Sequence, residues 1–146
     1  MRLMGRLLAI DYGTKRTGLA VTDKLKIIAT GLTTVPTHDL LRFLKSYIQE
    51  EDVDCIIVGA PKQMNNAPSD NMKYVEGFVK KLEKEIPQMR IEYYDERFTS
   101  VMAQRTMLDG GLKKKDRRNK ALVDEISAVI LLQSYMESSI YKKGGF

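Results

Sequence analysis

The apolar run CIIVGAP at residues 55–61 is the feature that most restricts the folds open to this chain. Because the run shows no polar alternation, neither face of a strand built from it can lie against water. Gly59 and Pro61 bring the run to an end. We therefore expect a strand that is buried on both faces, as in sheets that carry helices on each side.

Three further β-like runs come before it, namely RLLAID at 6–11, TGLAVTD at 17–23 and KIIATGLTTV at 26–35. The connections between these runs are short, which favours antiparallel hairpins. The chain is therefore predicted to open with a three-stranded antiparallel meander.

Apolar residues at helical spacing predict one amphipathic helix before the apolar strand and another after it. The first occupies THDLLRFLKSYIQEE at residues 37–51, where Thr37 or Asp39 is expected to cap its start. The second begins near Ser69 and ends before Pro87. Strand–helix–strand units of this kind have right-handed crossovers and give parallel strands.

The last third of the chain predicts one more strand and two more helices. The alternating run RIEYYDERF at 90–98 indicates a strand that ends near Asp95, and a short helix is expected over about 99–108. The segment at 121–139 is apolar on more than one face, which is typical of a largely buried helix. The complete order predicts an α/β chain with a five-stranded mixed sheet. Its first three strands form the antiparallel meander, its last two are parallel, and helices flank both faces.

Length and composition suit a soluble globular protein. The 146 residues, of which 43% are apolar and 29% charged, fit a single domain over residues 1–146. No run approaches the roughly 18 apolar residues that a membrane helix needs, and the N-terminus lacks the cleavage site of a signal peptide. The single cysteine, Cys55, is predicted to pack in the core and suits a reducing compartment. We expect a cytoplasmic protein with no membrane association.

The excess positive charge of the chain is concentrated in KKKDRRNK at 113–120. This segment holds six basic residues and one acidic residue, and the whole chain has 24 basic and 19 acidic residues, so the remainder holds 18 of each. A basic run is often only a solvated loop, but clustered lysine and arginine also bind polyanions by releasing their counterions. The segment is a candidate contact for a nucleic-acid backbone.

Carboxylates stand at the ends of three apolar elements. Asp11 closes the first strand, Asp95 and Glu96 close the last strand, and Asp124 begins the last helix. Charges at such positions are costly unless they are paired or bound to a metal, and ligands of open α/β sheets bind beyond the carboxyl ends of the strands. We therefore expect these acids to form a cluster. Strand alternation alone decides only weakly between Asp95 and Glu96.

Three clustered carboxylates form a hard oxygen site suited to Mg²⁺ or Mn²⁺. With one cysteine and one histidine, the chain offers few of the ligands that zinc prefers. Divalent ions bridged by carboxylates activate water and stabilise the leaving oxygen in phosphodiester hydrolysis. The pattern predicts a metal-dependent nuclease.

Four motifs that follow one another along the chain resemble the YqgF/RuvX family of Holliday junction resolvase-like nucleases, which are associated with ribosomal RNA processing. They are AIDYGTKRTGLAV, IIVGAPKQM, DERFTS and VDEISAVILLQSY. The resemblance implies an RNase H-like fold and a Mg²⁺-dependent or Mn²⁺-dependent nuclease whose catalytic and metal-binding acids are Asp11, Glu96 and Asp124. It also implies that the enzyme processes the 5′ end of pre-16S ribosomal RNA. One departure is Asn65 and Asn66, which stand where the family usually has Asp-Gly, so a charge at residue 65 has no counterpart here.

Basic residues near these acids are candidate contacts for the phosphates of the substrate. Lys15 and Arg16 follow Asp11 in the first turn, and Arg97 follows Glu96. The basic run at 113–120 would form an arm across the substrate. Its candidate residues are Lys113, Lys114, Lys115, Arg117 and Arg118.

Other functions stay open at the level of sequence. The DYGT turn is also similar to the phosphate-binding turn of sugar kinases and actin-like ATPases, but those enzymes need two such domains and this length supplies one. A nucleic-acid-binding module without catalysis is a second alternative. The substrate is structured RNA, in pre-ribosomal particles, or branched DNA, and the protein is a monomer or a homodimer.

Overall fold

A computed structural model describes residues 5–60, 72–95 and 120–137 of the chain. The predicted short helix at 99–108, the basic run up to residue 119 and Ser69 lie outside these ranges, as do Asn65 and Asn66. Within the described ranges, no helix has the length and apolar character needed to cross a membrane.

Five strands form one mixed sheet, as predicted. They are β1 (Arg6–Asp11), β2 (Arg16–Thr22), β3 (Ala29–Pro36), β4 (Val53–Ala60) and β5 (Arg90–Asp95). Their order across the sheet is β3-β2-β1-β4-β5. The pairs β1–β2 and β2–β3 are antiparallel, whereas β1–β4 and β4–β5 are parallel. The buried, apolar β4 therefore lies between two parallel neighbours, which is the position that its sequence indicated.

The sheet is flanked by α1 (Leu40–Glu50), α2 (Met72–Glu85) and α3 (Lys120–Glu137), and a short 3₁₀ turn at Thr37–Asp39 precedes α1. Asp39, one of the two predicted caps, occupies the N-cap position of α1, but neither its side chain nor that of Thr37 makes a capping hydrogen bond. The Thr37 hydroxyl instead donates to the carbonyl of Gly13, and the Asp39 carboxylate accepts from Arg42.

The third strand begins later than predicted, at Ala29, because the preceding residues form a turn around Asp23. Its carboxylate accepts hydrogen bonds from the backbone amides of Leu25, Ile27 and Ile28. Lys26 has a positive φ of 59° within this turn, and its ammonium group pairs with Asp54 at 2.7 Å. The backbone amides that a longer β3 would use for pairing are therefore already satisfied by one side chain.

The core has two layers, one on each face of the sheet. Alternate residues of the strands, including Leu8, Ile10 and Val58, pack against α1 and α2. The intervening residues, including Leu7, Ala9 and Ile57, pack against α3. Cys55 is buried in this second layer, as predicted. Any residue at the end of a strand can thus be assigned to the α1/α2 face or to the α3 face by its register.

Candidate active site

The carboxyl ends of the three parallel strands β1, β4 and β5 meet at one edge of the sheet. Ile10 of β1 is paired with Val58 of β4, and Ala60 of β4 is paired with Asp95 of β5. Asp11, the last residue of β1, therefore lies at the edge where the chain leaves β5 toward Glu96. Glu96 itself is outside the described residues.

Gly18 of β2 lies between the end of β1 and the start of α3. It is the antiparallel partner of Asp11. A Cβ added at Gly18 would lie 2.1 Å from the carbonyl oxygen of Asp124, so only glycine allows the helix to come this close. Leu7 and Ala9 of β1 pack under α3, and strand alternation gives Asp11 the same face. The fold thus brings two of the three predicted acids to a common neighbour.

Arg16 lies against Asp124 in this structure. Its guanidinium Nε is 3.1 Å from the Asp124 Oδ2, and the two side chains are 39% and 26% exposed. The predicted contact of Arg16 with phosphate stays a prediction, and in the structure its guanidinium pairs with one of the predicted metal ligands. This ion pair links the start of β2 to the start of α3.

Two threonines fix the turn between β1 and β2, and sequence reasoning did not single them out for this role. Thr17 is buried, and its hydroxyl is 2.9 Å from the hydroxyl of Thr37. Thr37 donates from its hydroxyl to the carbonyl of Gly13, and its backbone amide donates to the carbonyl of Lys15 at 3.0 Å. The exposed Lys15 is thus presented from a turn with a fixed backbone.

A third carboxylate on the α3 face, Glu92 of β5, has a structural role that the sequence did not reveal. It accepts hydrogen bonds from the Tyr135 hydroxyl and the Cys55 thiol, and it pairs with Arg90 at 3.2 Å. Burial, with the nearby Glu92 carboxylate, raises the pKa of Cys55 to about 12. Burial and the hydrogen bond to Glu92 also raise the pKa of Tyr135. Glu92 therefore joins β4, β5 and α3, and all of these contacts are with protein groups.

The donor set at the edge fits a hard divalent cation. Asp11 and Asp124 offer carboxylate oxygens, the ligands that Mg²⁺ and Mn²⁺ prefer. Within the part of the chain that the structure describes, no group of three acidic, histidine or cysteine residues forms a complete metal site. The predicted third ligand is Glu96. Like Arg97 and the basic residues at 113–119, it falls outside the described ranges.

Comparison with known proteins gives matches over nearly the whole chain. The family model described as "RuvX: Holliday junction resolvase" matches residues 5–138. A protein of Phocaeicola vulgatus is 66% identical over 138 residues, which cover 94% of this chain and 99% of the relative. A protein of Bacteroides fragilis is 65% identical over 135 residues, covering 92% of this chain and 98% of its own. Both relatives are provisionally named as pre-16S rRNA nucleases.

A solved structure has a similar fold. Thermus thermophilus RuvC in complex with a Holliday junction substrate superposes with a TM-score of 0.56 at 15% identity, covering 92% of this chain and 97% of that one. At this level of identity the likeness concerns the fold alone. It agrees with the RNase H-like arrangement that the motif resemblance implied.

Proposed function

The chain belongs to the RuvX family, and from this membership we propose that it is a metal-dependent endonuclease that hydrolyses phosphodiester bonds of nucleic acid. The observation that carries the proposal is the convergence of Asp11 and Asp124 on Gly18, at the edge where β5 leads into Glu96. Asp11 at the end of β1, Asp124 at the start of α3 and Glu96 directly after β5 would form the donor set that a nuclease of this kind needs.

We assign the third position to Glu96 and not to Asp95. On β5, Glu92 bonds to Tyr135 of α3, and the Tyr94 hydroxyl donates to the Ser134 carbonyl of α3 at 3.3 Å. The alternation of a strand places every second residue on one face, and the next even position is Glu96. The face covered by α3 is also the face of Asp11, and we propose that Glu96 is the acid that shares it.

Each residue has a defined task in the proposed reaction. Asp11, Glu96 and Asp124 would hold Mg²⁺ or Mn²⁺, and Arg16 would restrain the Asp124 carboxylate through their ion pair. Held by these acids, the metal would supply activation of a water and stabilisation of the charge on the leaving oxygen. Lys15, Arg97 and the basic run Lys113, Lys114, Lys115, Arg117 and Arg118 bind phosphates on either side of the cut and position the strand.

The substrate that we propose is pre-16S ribosomal RNA, because the relatives at 65–66% identity are named for it. Its 5′ end is the part that the motif resemblance implies. The enzyme would then act in the cytoplasm on pre-ribosomal particles. The description of the family favours a second candidate, a four-way DNA junction. A junction has two-fold symmetry, so this alternative requires a dimer with two active sites.

The deciding experiment compares cleavage of a pre-16S rRNA fragment and a four-way DNA junction by the purified protein, with Mg²⁺, Mn²⁺ or EDTA. We expect cleavage of the RNA with either metal and none in EDTA. Asp11→Asn, Glu96→Gln and Asp124→Asn should each lower the rate by at least about 100-fold while the protein stays folded and binds RNA. If Asp124→Asn cleaves as fast as the parent protein, the assignment of the three acids is wrong.

A further inference from the structure

A groove of about 520 Å³ opens beside the turn that carries Lys15, on the face of the sheet that α1 and α2 cover. It lies between the β1–β2 turn, the 3₁₀ turn and one side of α2. Its lining combines aromatic rings with cationic side chains, the principal ones being Tyr12, Phe78, Tyr74, Lys73 and Lys81. Tyr12 belongs to the first of the four sequence motifs, whereas neither the charge count nor the motifs pointed to the residues of α2.

The aromatic residues form a graded surface that runs from the core to solvent. Phe78 is buried, and its ring centroid is 5.5 Å from that of Tyr12. Tyr74, one helical turn before Phe78, is 59% exposed. Tyr12 and Tyr74 both line the groove. The groove therefore offers an exposed ring beside a fixed one.

The side chains of α2 that line the groove include two cations and no acid. Lys73 and Lys81 line it on both sides of Tyr74, and no carboxylate belongs to its lining among the described residues. The acids Glu76 and Glu83 do not line the groove and lie near Tyr93 of β5. Burial is the main cause of the raised pKa of Tyr93, and these two acids raise it further. The lysines of the lining thus attract an anionic ligand to the groove.

The groove borders the segment of chain that carries the first residues of the candidate active site. Tyr12 and Thr14, which line it, belong to the short segment that joins Asp11 to Lys15. Tyr12 packs with the α1/α2 core layer, whereas Asp11 belongs to the α3 face. A strand bound in the groove reaches the carboxylates by passing over the edge of the sheet.

We propose that this groove binds an unpaired stretch of the nucleic-acid substrate beside the cleavage site, with bases stacked on Tyr74 and Tyr12 and phosphates bound by Lys73 and Lys81. This inference rests on the proposed nuclease function and identifies which form of nucleic acid the enzyme prefers. Stacking on an aromatic ring needs the face of a base that is free of its neighbours, which an intact duplex does not offer. A groove of this volume accepts individual nucleotides.

The test measures binding of a labelled single-stranded RNA of about ten nucleotides by fluorescence anisotropy in EDTA, so that cleavage plays no part. Tyr74→Ala should weaken binding roughly 5- to 100-fold, whereas Tyr74→Phe, which keeps the ring, should retain the affinity of the parent. Lys73→Ala with Lys81→Ala should lower the slope of log affinity against log salt by about 1.4. The matched control is Lys80→Ala with Lys84→Ala, which removes the same charge from other positions of α2 and should change affinity by no more than about twofold.

Two results would overturn the proposal. One is a Tyr74→Ala variant, folded by circular dichroism, that binds single-stranded RNA like the parent protein. The other is an equal loss of affinity for a duplex of the same sequence, since Tyr74 would then not distinguish unpaired bases. Failure of the nuclease proposal is separable from both, because it appears as absent cleavage with Mg²⁺ and Mn²⁺ in a protein whose binding in EDTA still depends on Tyr74.

Discussion

Gly18 determines how closely α3 approaches the sheet at the candidate active site. An added Cβ would meet the carbonyl oxygen of Asp124 at 2.1 Å and its carbonyl carbon at 2.4 Å. Both are backbone atoms, so rotation of a side chain cannot relieve the overlap. We expect Gly18→Ala to lower the free energy of unfolding by about 1–3 kcal/mol. It should also displace Asp124 from Asp11, so that single-turnover cleavage slows by about tenfold or more.

Gly77, in the interior of α2, provides the matched control for this substitution. No atom lies within 4 Å of a Cβ added there. Urea unfolding should therefore show Gly77→Ala to be more stable than the parent by about 0.5–1 kcal/mol, because alanine is the better helix former. A Gly18→Ala variant with the stability and cleavage rate of the parent would contradict the close approach of α3.

Individual site residues differ in how far the sequence could predict them. Asp11 was identifiable because an apolar strand ends on it, and strand pairing places it at the expected edge. The pairing of Arg16 with Asp124 was not predictable, since these residues are 108 positions apart and no local pattern links them. The place of Tyr74 in the groove was not predictable either. An exposed tyrosine on a helix indicates nothing by itself, and its position beside Tyr12 and the lysines follows only from the fold.

At the level of elements, the contacts of Glu92 make the junction of β4, β5 and α3 sensitive to alkaline pH. The fold raises the pKa of Cys55 from its ordinary value of 9.0 to about 12. Above pH 9 the unfolded chain therefore loses a proton that the folded protein keeps. The free energy of unfolding should fall with rising pH, by up to about 1.4 kcal/mol per pH unit from this thiol.

Urea unfolding of the parent and of Cys55→Ala between pH 8 and about 10 tests this prediction. Tyr135 and the other tyrosines with raised pKa are present in both proteins, so the difference between the two slopes reports the Cys55 thiol. Cys55→Ala is expected to have lower stability at pH 8 and a shallower decline toward pH 10. Parallel pH profiles for the two proteins would show that the Cys55 proton is not linked to folding.

The order and type of the described elements were predictable because each follows from a local period. The apolar run of β4 required cover on both faces, and the structure supplies α1 and α2 on one side and α3 on the other. The first and last residues of the elements were harder to predict, since they depend on single side chains. Asp23 delays the start of β3 by binding three backbone amides, and Thr37 bonds to the β1–β2 turn instead of capping α1.

For the molecule as a whole, the uneven distribution of charge is expected to govern binding of nucleic acid. Outside residues 113–120 the basic and acidic residues are equal in number, at 18 each, so the net charge of +5 arises from that segment. The groove beside α2 adds a second, smaller cationic surface, which Lys73 and Lys81 line. A balanced surface with one strongly basic segment binds a polyanion in a defined orientation, because attraction is concentrated at one place.

Removing part of the basic segment should therefore change the salt dependence of binding more than an equal loss of charge elsewhere. Lys113, Lys114 and Lys115 are replaced by alanine in one variant, and the exposed Lys24, Lys80 and Lys84 in the control, so that both have the same net charge. If each lysine of the segment contacts a phosphate, the slope of log affinity against log salt should fall by about 2 in the first variant, as measured by anisotropy with the RNA substrate in EDTA. The control should keep the slope of the parent, because its lysines only raise the overall charge. Equal slopes in the two variants would mean that net charge alone attracts the RNA and that the segment makes no phosphate contacts of its own.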